Sequence, residues 1–472
     1  MRRGQTTAKT KCGGSSTDHP NEQVRSSGTP VAAAKAPPSV GMTKSMGFAP
    51  PVGMTKFYEG RAKAMVVAGV MSGTSADGVD VALCRIAQGA REGDWPRVRL
   101  IGLLETSYPK LVRAAVLRVM EGEAQTAAQM SRLNWRLGDI YADCVEKAAE
   151  IFDVKVGLVG CHGQTVHHET RAWRALGSAV RSAGRSTTWQ MGEASVVAER
   201  MRCPVVSDFR PADLAAGGEG APLVPMLDYC LFRSAKGNRV LLNLGGIANV
   251  TAIPAGAGLD AVIAFDTGPG NMVVDRCMAS LFGRKFDRGG AVARRGRVLR
   301  EVVERVMREG YFAVLPPKSC GREEFGAGFA ERLIGMCRDA GGVDADVVAT
   351  ATALTAESVV AAYRGFVVPH FKAVDSEPMS QNRDMGHPGK TEVCVAGGGA
   401  KNGTLMGMLR EGFEEMGVRV LAMEELGVPA QAKEGVAFAL LAWLTWNGRP
   451  GNVPAATGAG RAVVLGKVSW PG

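Results

Sequence analysis

Several signatures are missing from this 472-residue chain, and each absence removes a class of protein. No Gly-Lys-Ser/Thr follows the small-residue turn at Ser72–Gly78, so that turn is not a Walker loop. Nor does it open a helix as a Rossmann fingerprint would. The ten cysteines form no CxxC pair and keep no short regular spacing, which supports neither a zinc site nor a disulfide framework. They read as reduced, mostly buried thiols of a cytoplasmic protein. The longest apolar stretch, Gly435–Trp446, is about 12 residues, too short to cross a bilayer, and reads as a buried helix; no membrane association is expected. The amino terminus has no apolar segment of the secretory kind. Acidic residues are scarce in residues 1–64, which hold ten Lys/Arg and three Asp/Glu; this segment carries +7 of the net charge of +10. The remainder is nearly neutral, so a DNA- or RNA-binding surface is not expected.

Residues 1–63 are rich in Gly, Pro, Ser, Thr, Ala and Lys without periodicity, and are expected to be a disordered basic extension. A basic, acid-poor, Ser-rich terminus also fits an organellar transit peptide, although no amphipathic Arg-bearing helix is visible.

The body opens on VVAGVMSGTSADGVDVALCRI, Val66–Ile86, which reads as strand, small-residue turn and strand. Gly73 and Gly78 allow close backbone approach, and Ser72, Thr74 and Ser75 add hydroxyls beside free amides, a phosphate cradle. Asp77 and Asp80 place carboxylates where a phosphate-bound Mg²⁺ would need oxygen ligands. An ordinary tight hairpin is the alternative.

Val156–Glu169 reads as a strand running into a polar turn. His162, Gly163 and Gln164 could form a hydrogen-bonding wall for a polar ligand; with His167 and His168, a metal site is the rival reading. Cys203–Ser207 reads as a buried strand ending at Asp208, where α/β folds place chemistry. Arg210 and Asp213 follow, above a loop whose Gly217 and Gly218 can bring amides against a ligand. A salt-bridged turn joining Asp208 to Arg210 is the plainer alternative.

Later, Ala261–Asp275 reads as strand, Asp266, glycine turn (Gly268, Gly270, Asn271) and helix, a second phosphate-type turn. Val393–Met406 places Gly397, Gly398 and Gly399 between a strand and a helix, where an adenosine could lie on bare backbone. This order resembles the actin-like ATPase and sugar-kinase superfamily. It implies an α/β, two-lobed, ribonuclease H-like fold with a nucleotide cleft between lobes spanning 64–235 and 236–472.

Within it, the segments GVMSGTSADGVD, CHGQTVHHE, SDFRPADLAAGGEGAPLVP, NLGGIANVT, AFDTGPGNMVVD, PPKSCGREEF, VAGGGAKN, AKEGVAFALLAW and GRPGNVPAATGA, in this order, resemble the anhydro-N-acetylmuramic acid kinase family. The resemblance implies an ATP- and Mg²⁺-dependent homodimeric enzyme acting on a small anhydro amino sugar. It places the water-activating base on Asp208 and a second sugar-facing carboxylate on Glu434. It also implies that Gly73, Thr74, Ser75, Ala76, Asp77, Gly78, Val79 and Asp80 hold phosphates and metal. Ala76, Glu219, Gln431 and Gly435 depart from the family pattern, and Glu219 bears on substrate identity. A catalytically impaired ATP-binding sensor on the same fold is the second reading.

Overall fold

The computed structural model describes residues 64–73, 75–89, 94–169, 186–376, 389–426 and 429–472. The strands are β1 (Met65–Ser72), β2 (Gly78–Ala87), β3 (Arg97–Ser107), β4 (Leu158–Glu169), β5 (Thr187–Met191), β6 (Val205–Ser207), β7 (Gly237–Leu244), β8 (Ile247–Ile253), β9 (Ile263–Pro269), β10 (Gly389–Ala396), β11 (Arg419–Ala422) and β12 (Lys467–Ser469). They form two sheets, ordered β12-β6-β4-β1-β2-β3 and β11-β10-β7-β8-β9, with β5 on β4.

The two sheets repeat one plan. In the first, β1, β2 and β3 form an antiparallel meander, and β4 then β6 add in parallel beside β1. In the second, β7, β8 and β9 make the meander, and β10 then β11 add in parallel beside β7. The β1–β2 turn and the β7–β8 turn are therefore equivalent positions.

Strands at the sheet centres are apolar on both faces, as expected where helices cover both sides. On one face of the first sheet lies the helix Ala127–Ile151, started by a reciprocal capping box between Thr126 and Gln129. On the other lies Lys433–Trp446, buried along nearly its whole length, as its apolar run predicts. It approaches so closely that a Cβ on Gly69 of β1 would overlap the carbonyl of Gly435, and one on Gly160 of β4 that of Phe438. The Gly435 departure is thereby explained: its own Cβ would press on Ala82. One apolar cluster joins this helix, Met226 and Leu227, and residues of both sheets such as Val67 and Leu241.

Two expectations need correction. The polar stretch after Val156 is not a turn, because β4 continues through Glu169, bent by Gly163 at φ +78°. The first lobe is not confined to 64–235, since β12 and Lys433–Trp446 return to the first sheet. The run Asp344–Ser376 has the length and composition to cross a membrane and was missed as an apolar stretch; 78% of its apolar window is buried, and it forms helical core. The expected tail, residues 1–63, and Thr74 lie outside the described residues.

Candidate active site

The β1–β2 turn is built from below. Ser72, 1% exposed, donates to Gln164 Oε1 at 2.6 Å, and Gln164 Nε2 donates to the Gly73 carbonyl at 3.1 Å. Tyr108 completes the support, its phenol oxygen 2.7 Å from Ser72 Oγ. Gln164 is fully buried with its amide engaged, so it shapes the turn and does not face a ligand, contrary to expectation. Val79 is likewise a core residue, and Gly78 is packed against Thr106. Ala76 is buried with φ +52°, a left-handed conformation that a Cβ makes costly. Gly73 is half-buried and Ser75 exposed, which leaves this part of the turn open to a phosphate.

The two acidic residues of the turn differ. Asp77 is engaged by Arg113, Nη2 to Oδ1 at 3.0 Å. Asp80 has no hydrogen bond or ion pair among the described residues. Burial, then the Glu105 and Glu434 carboxylates, push its pKa up to about 6. Glu105 lies directly opposite it on β3, an unfavourable like-charge pair. Uncompensated anionic charge beside a phosphate-type turn suits a divalent cation, so Asp80 fits Mg²⁺ better than Asp77. Asp80→Asn tests this. A carboxyl whose pKa is raised on folding costs stability above that pKa, and the cost fades as pH falls below it. After discounting for its half-exposed position, the variant should gain about 1 kcal/mol at pH 8, a gain that fades as pH falls from about 6 towards the unfolded value of 3.8. MgATP affinity should drop at the same time; thermal melts and titration calorimetry read both.

Beside this turn lies a buried polar group. His162 Nδ1 donates to the Gly163 carbonyl at 2.7 Å, and its Nε2 accepts from Arg210 Nε and Nη2 at 3.1 and 2.9 Å. Burial and the guanidinium charge hold the His162 pKa well below its ordinary value, so the ring is neutral, with one tautomer satisfying both contacts. Its ring packs tilted against Phe438, with centroids 4.4 Å apart. Arg210 also donates to the Gly220 carbonyl at 2.8 Å; burial lowers it to about 10, opposed by Glu434 and Asp213. Glu434 opens to solvent from the first turn of its helix, yet surrounding protein raises its pKa, partly offset by Arg210 and Lys433. Arg210, Glu434 and Asp80 thus converge.

The rival metal site on the histidines does not form among the described residues. His167 and His168 point to Thr187 and Thr188, and no group of three His, Cys, Asp or Glu among the described residues is arranged to hold a metal. His168 differs from His167 in its surroundings. Its Nε2 is buried without a partner among the described residues, and burial followed by Arg210 lowers its pKa to about 4.

Asp208 stands at the end of β6 with φ +52°, at the start of the helix Phe209–Ala215. Its partner is Lys467, Nζ to Oδ2 at 2.9 Å, not Arg210. Asp213 is fully buried beneath the loop, not above it. Its Oδ2 accepts from the Gly220 amide, and its Oδ1 from Asn452 and Thr457. Gly218 packs against that carboxylate, and Gly217, at φ +88°, is half-buried at the loop turn. Glu219 is held by Ser186, whose Oγ donates to Oε2 at 2.8 Å.

In the second sheet the phosphate-type turn needs relocation. The amides of Gly270 and Asn271 donate to Gly246 and Gly245 at 2.9 and 2.8 Å, so they cannot also cradle phosphate. Gly268 packs on Phe312 and Ser358. The position equivalent to the β1–β2 turn is Gly245–Gly246 between β7 and β8. Asn271 instead assembles this half of the site: its Nδ2 donates to the Leu244 carbonyl at 2.9 Å, beside Gly398 and Gly399. Gly397, at φ +87°, packs where a Cβ would press on the Leu244 carbonyl. Asp266 is tied to Cys320, whose amide donates to Oδ2 at 3.0 Å, and burial raises it to about 6.

Residues 65–471 match the family model described as anhydro-N-acetylmuramic acid kinase. A protein of that name from Gloeobacter violaceus is 42% identical over 403 residues, 85% of this chain and 97% of its own length. One from Caldanaerobacter subterraneus subsp. tengcongensis is 39% identical over 409 residues, 86% of this chain and 96% of its own. A ROK hexokinase structure from Thermus thermophilus aligns with 81% of this chain and 99% of its own at 14% identity and a TM-score of 0.35, too low to inform the site.

Proposed function

The chain belongs to the anhydro-N-acetylmuramic acid kinase family, and from that premise we infer that it opens 1,6-anhydro-N-acetylmuramic acid with water and ATP to give N-acetylmuramate 6-phosphate and ADP. The carrying observation is one of placement. The β1–β2 turn and Asp208 leave the carboxyl ends of two parallel strands separated only by β4, about 10 Å apart at ordinary strand spacing. A γ-phosphoryl group and an activated water can therefore flank one small sugar.

The substrate carries no hydroxyl at the carbon to be phosphorylated, so a base has no proton to remove there. Asp208 instead takes a proton from water as its oxygen bonds to the anomeric carbon. The anomeric bond to the bridging oxygen breaks, and that oxygen takes the γ-phosphoryl group as the bond to ADP breaks. Arg210, fixed by His162 and Gly220, and Glu434 orient the sugar. Mg²⁺ bound near Asp80 would neutralise phosphate charge. Gly73 and Ser75 on one lobe and Gly245–Gly246 on the other receive the phosphates, with Gly397–Gly399 under the adenosine.

The sensor reading is not favoured, because Asp208 is present at the end of β6 and Arg210 and Glu434 act on one another. A homodimer fits the exposed Trp135 and Trp189, and cytoplasmic location fits nine free cysteines among the described residues. The deciding measurement is ADP release with and without the anhydro-sugar. Strong sugar dependence is expected; equal release in both would end the kinase reading.

A further inference from the structure

The carboxylate of Asp208 occupies the position of a helix cap without capping. A residue before a helix ordinarily accepts from the amide of the second or third helical residue. Here the third is Pro211, which has no N–H, and Asp208 makes no side-chain bond to its helix at all. The side chain turns instead to Lys467, across the antiparallel pairing of β12 with β6, where Lys467 lies opposite Ser207. Gly466, at φ +83°, lets the two strands meet closely, since a Cβ there would press on Val206 and the Ser207 carbonyl. Lys467 Nζ holds Oδ2, and Oδ1 has no partner among the described residues.

We propose that Lys467 is the positioning residue for Asp208, holding one carboxylate oxygen so that the other receives the proton of the attacking water. The role rests on the reading of Asp208 as base. The pair is half-open to solvent, and exposed ion pairs contribute little to folding. Its worth lies in orientation: Lys467 substitutes for the helix amide that Pro211 lacks, and it leaves the carboxylate one free oxygen and one defined direction.

Four variants decide the matter: Lys467→Met, Lys467→Arg, Asp208→Asn and the double variant Asp208→Asn/Lys467→Met, each with its melting temperature measured. Lys467→Met should lower kcat by about 10–100-fold, the scale of a misplaced reacting group, with KM for ATP and melting temperature unchanged. Lys467→Arg, which keeps the charge and donors, should recover most of the loss. In the Asp208→Asn background, Lys467→Met should cost nothing further. Wild-type kcat in Lys467→Met alongside an inactive Asp208→Asn overturns the positioning role alone, as does an equal further loss in the double variant. An active Asp208→Asn overturns the base reading, and this role with it.

Discussion

Asp208→Asn should bind MgATP as tightly as the unaltered protein and turn over the anhydro-sugar roughly 10²–10⁴-fold more slowly, the usual contribution of a general base. The substitution is nearly isosteric, and the helix Phe209–Ala215 does not use this carboxylate as a cap, so little stability should be lost. Calorimetric titration with a non-hydrolysable ATP analogue and steady-state ADP release separate the two effects. Turnover within a factor of about three of the unaltered protein would move the base elsewhere. Weakened nucleotide binding would instead place Asp208 among the phosphate contacts.

Lys433→Met should destabilise the protein by about 3–5 kcal/mol, because it strands a buried carboxylate. Lys433 and Asp228 are 7% and 1% exposed, and Nζ lies 2.8 Å from Oδ1. The contact is an ion pair whose angles fall outside hydrogen-bond geometry, so charge carries it. It joins the helix Pro225–Phe232 to the first turn of Lys433–Trp446, one residue from Glu434. Pairing the change with Asp228→Leu removes both charges and should restore most of the loss. Denaturant melts at pH 7 read both steps. If Lys433→Met costs under about 1 kcal/mol, the pair is more solvated than its burial indicates.

How far the sequence could be read depended on whether each signal was local. The β1–β2 turn, the strand ending at Asp208 and the helix Lys433–Trp446 all carry apolar runs and punctuation within one short window, and each appears in the structure. Gln164 was misread because a buried amide and a ligand-facing amide look alike until Ser72 and Gly73 are seen around it. Gly245–Gly246 was passed over for Gly268–Asn271 because the latter precede a helix; only the repeated sheet plan shows which turn is equivalent to the first. Asp213 joins Gly220 to Asn452 and Thr457, and no local pattern reports a partner more than 200 residues away. Lys467 was invisible for the same reason.

The return of Lys433–Trp446 and β12 to the first sheet has a temporal consequence. During synthesis, residues 64–235 emerge with a large apolar face that nothing yet covers, and it stays so while some two hundred further residues are made. The sheet can close only once Lys433–Trp446 has been made, and Asp208 can meet Lys467 only after that. A chain truncated before the helix Lys433–Trp446 should therefore be insoluble, not a weakened enzyme, and holding chaperones should engage longest with residues 64–235 of the nascent chain.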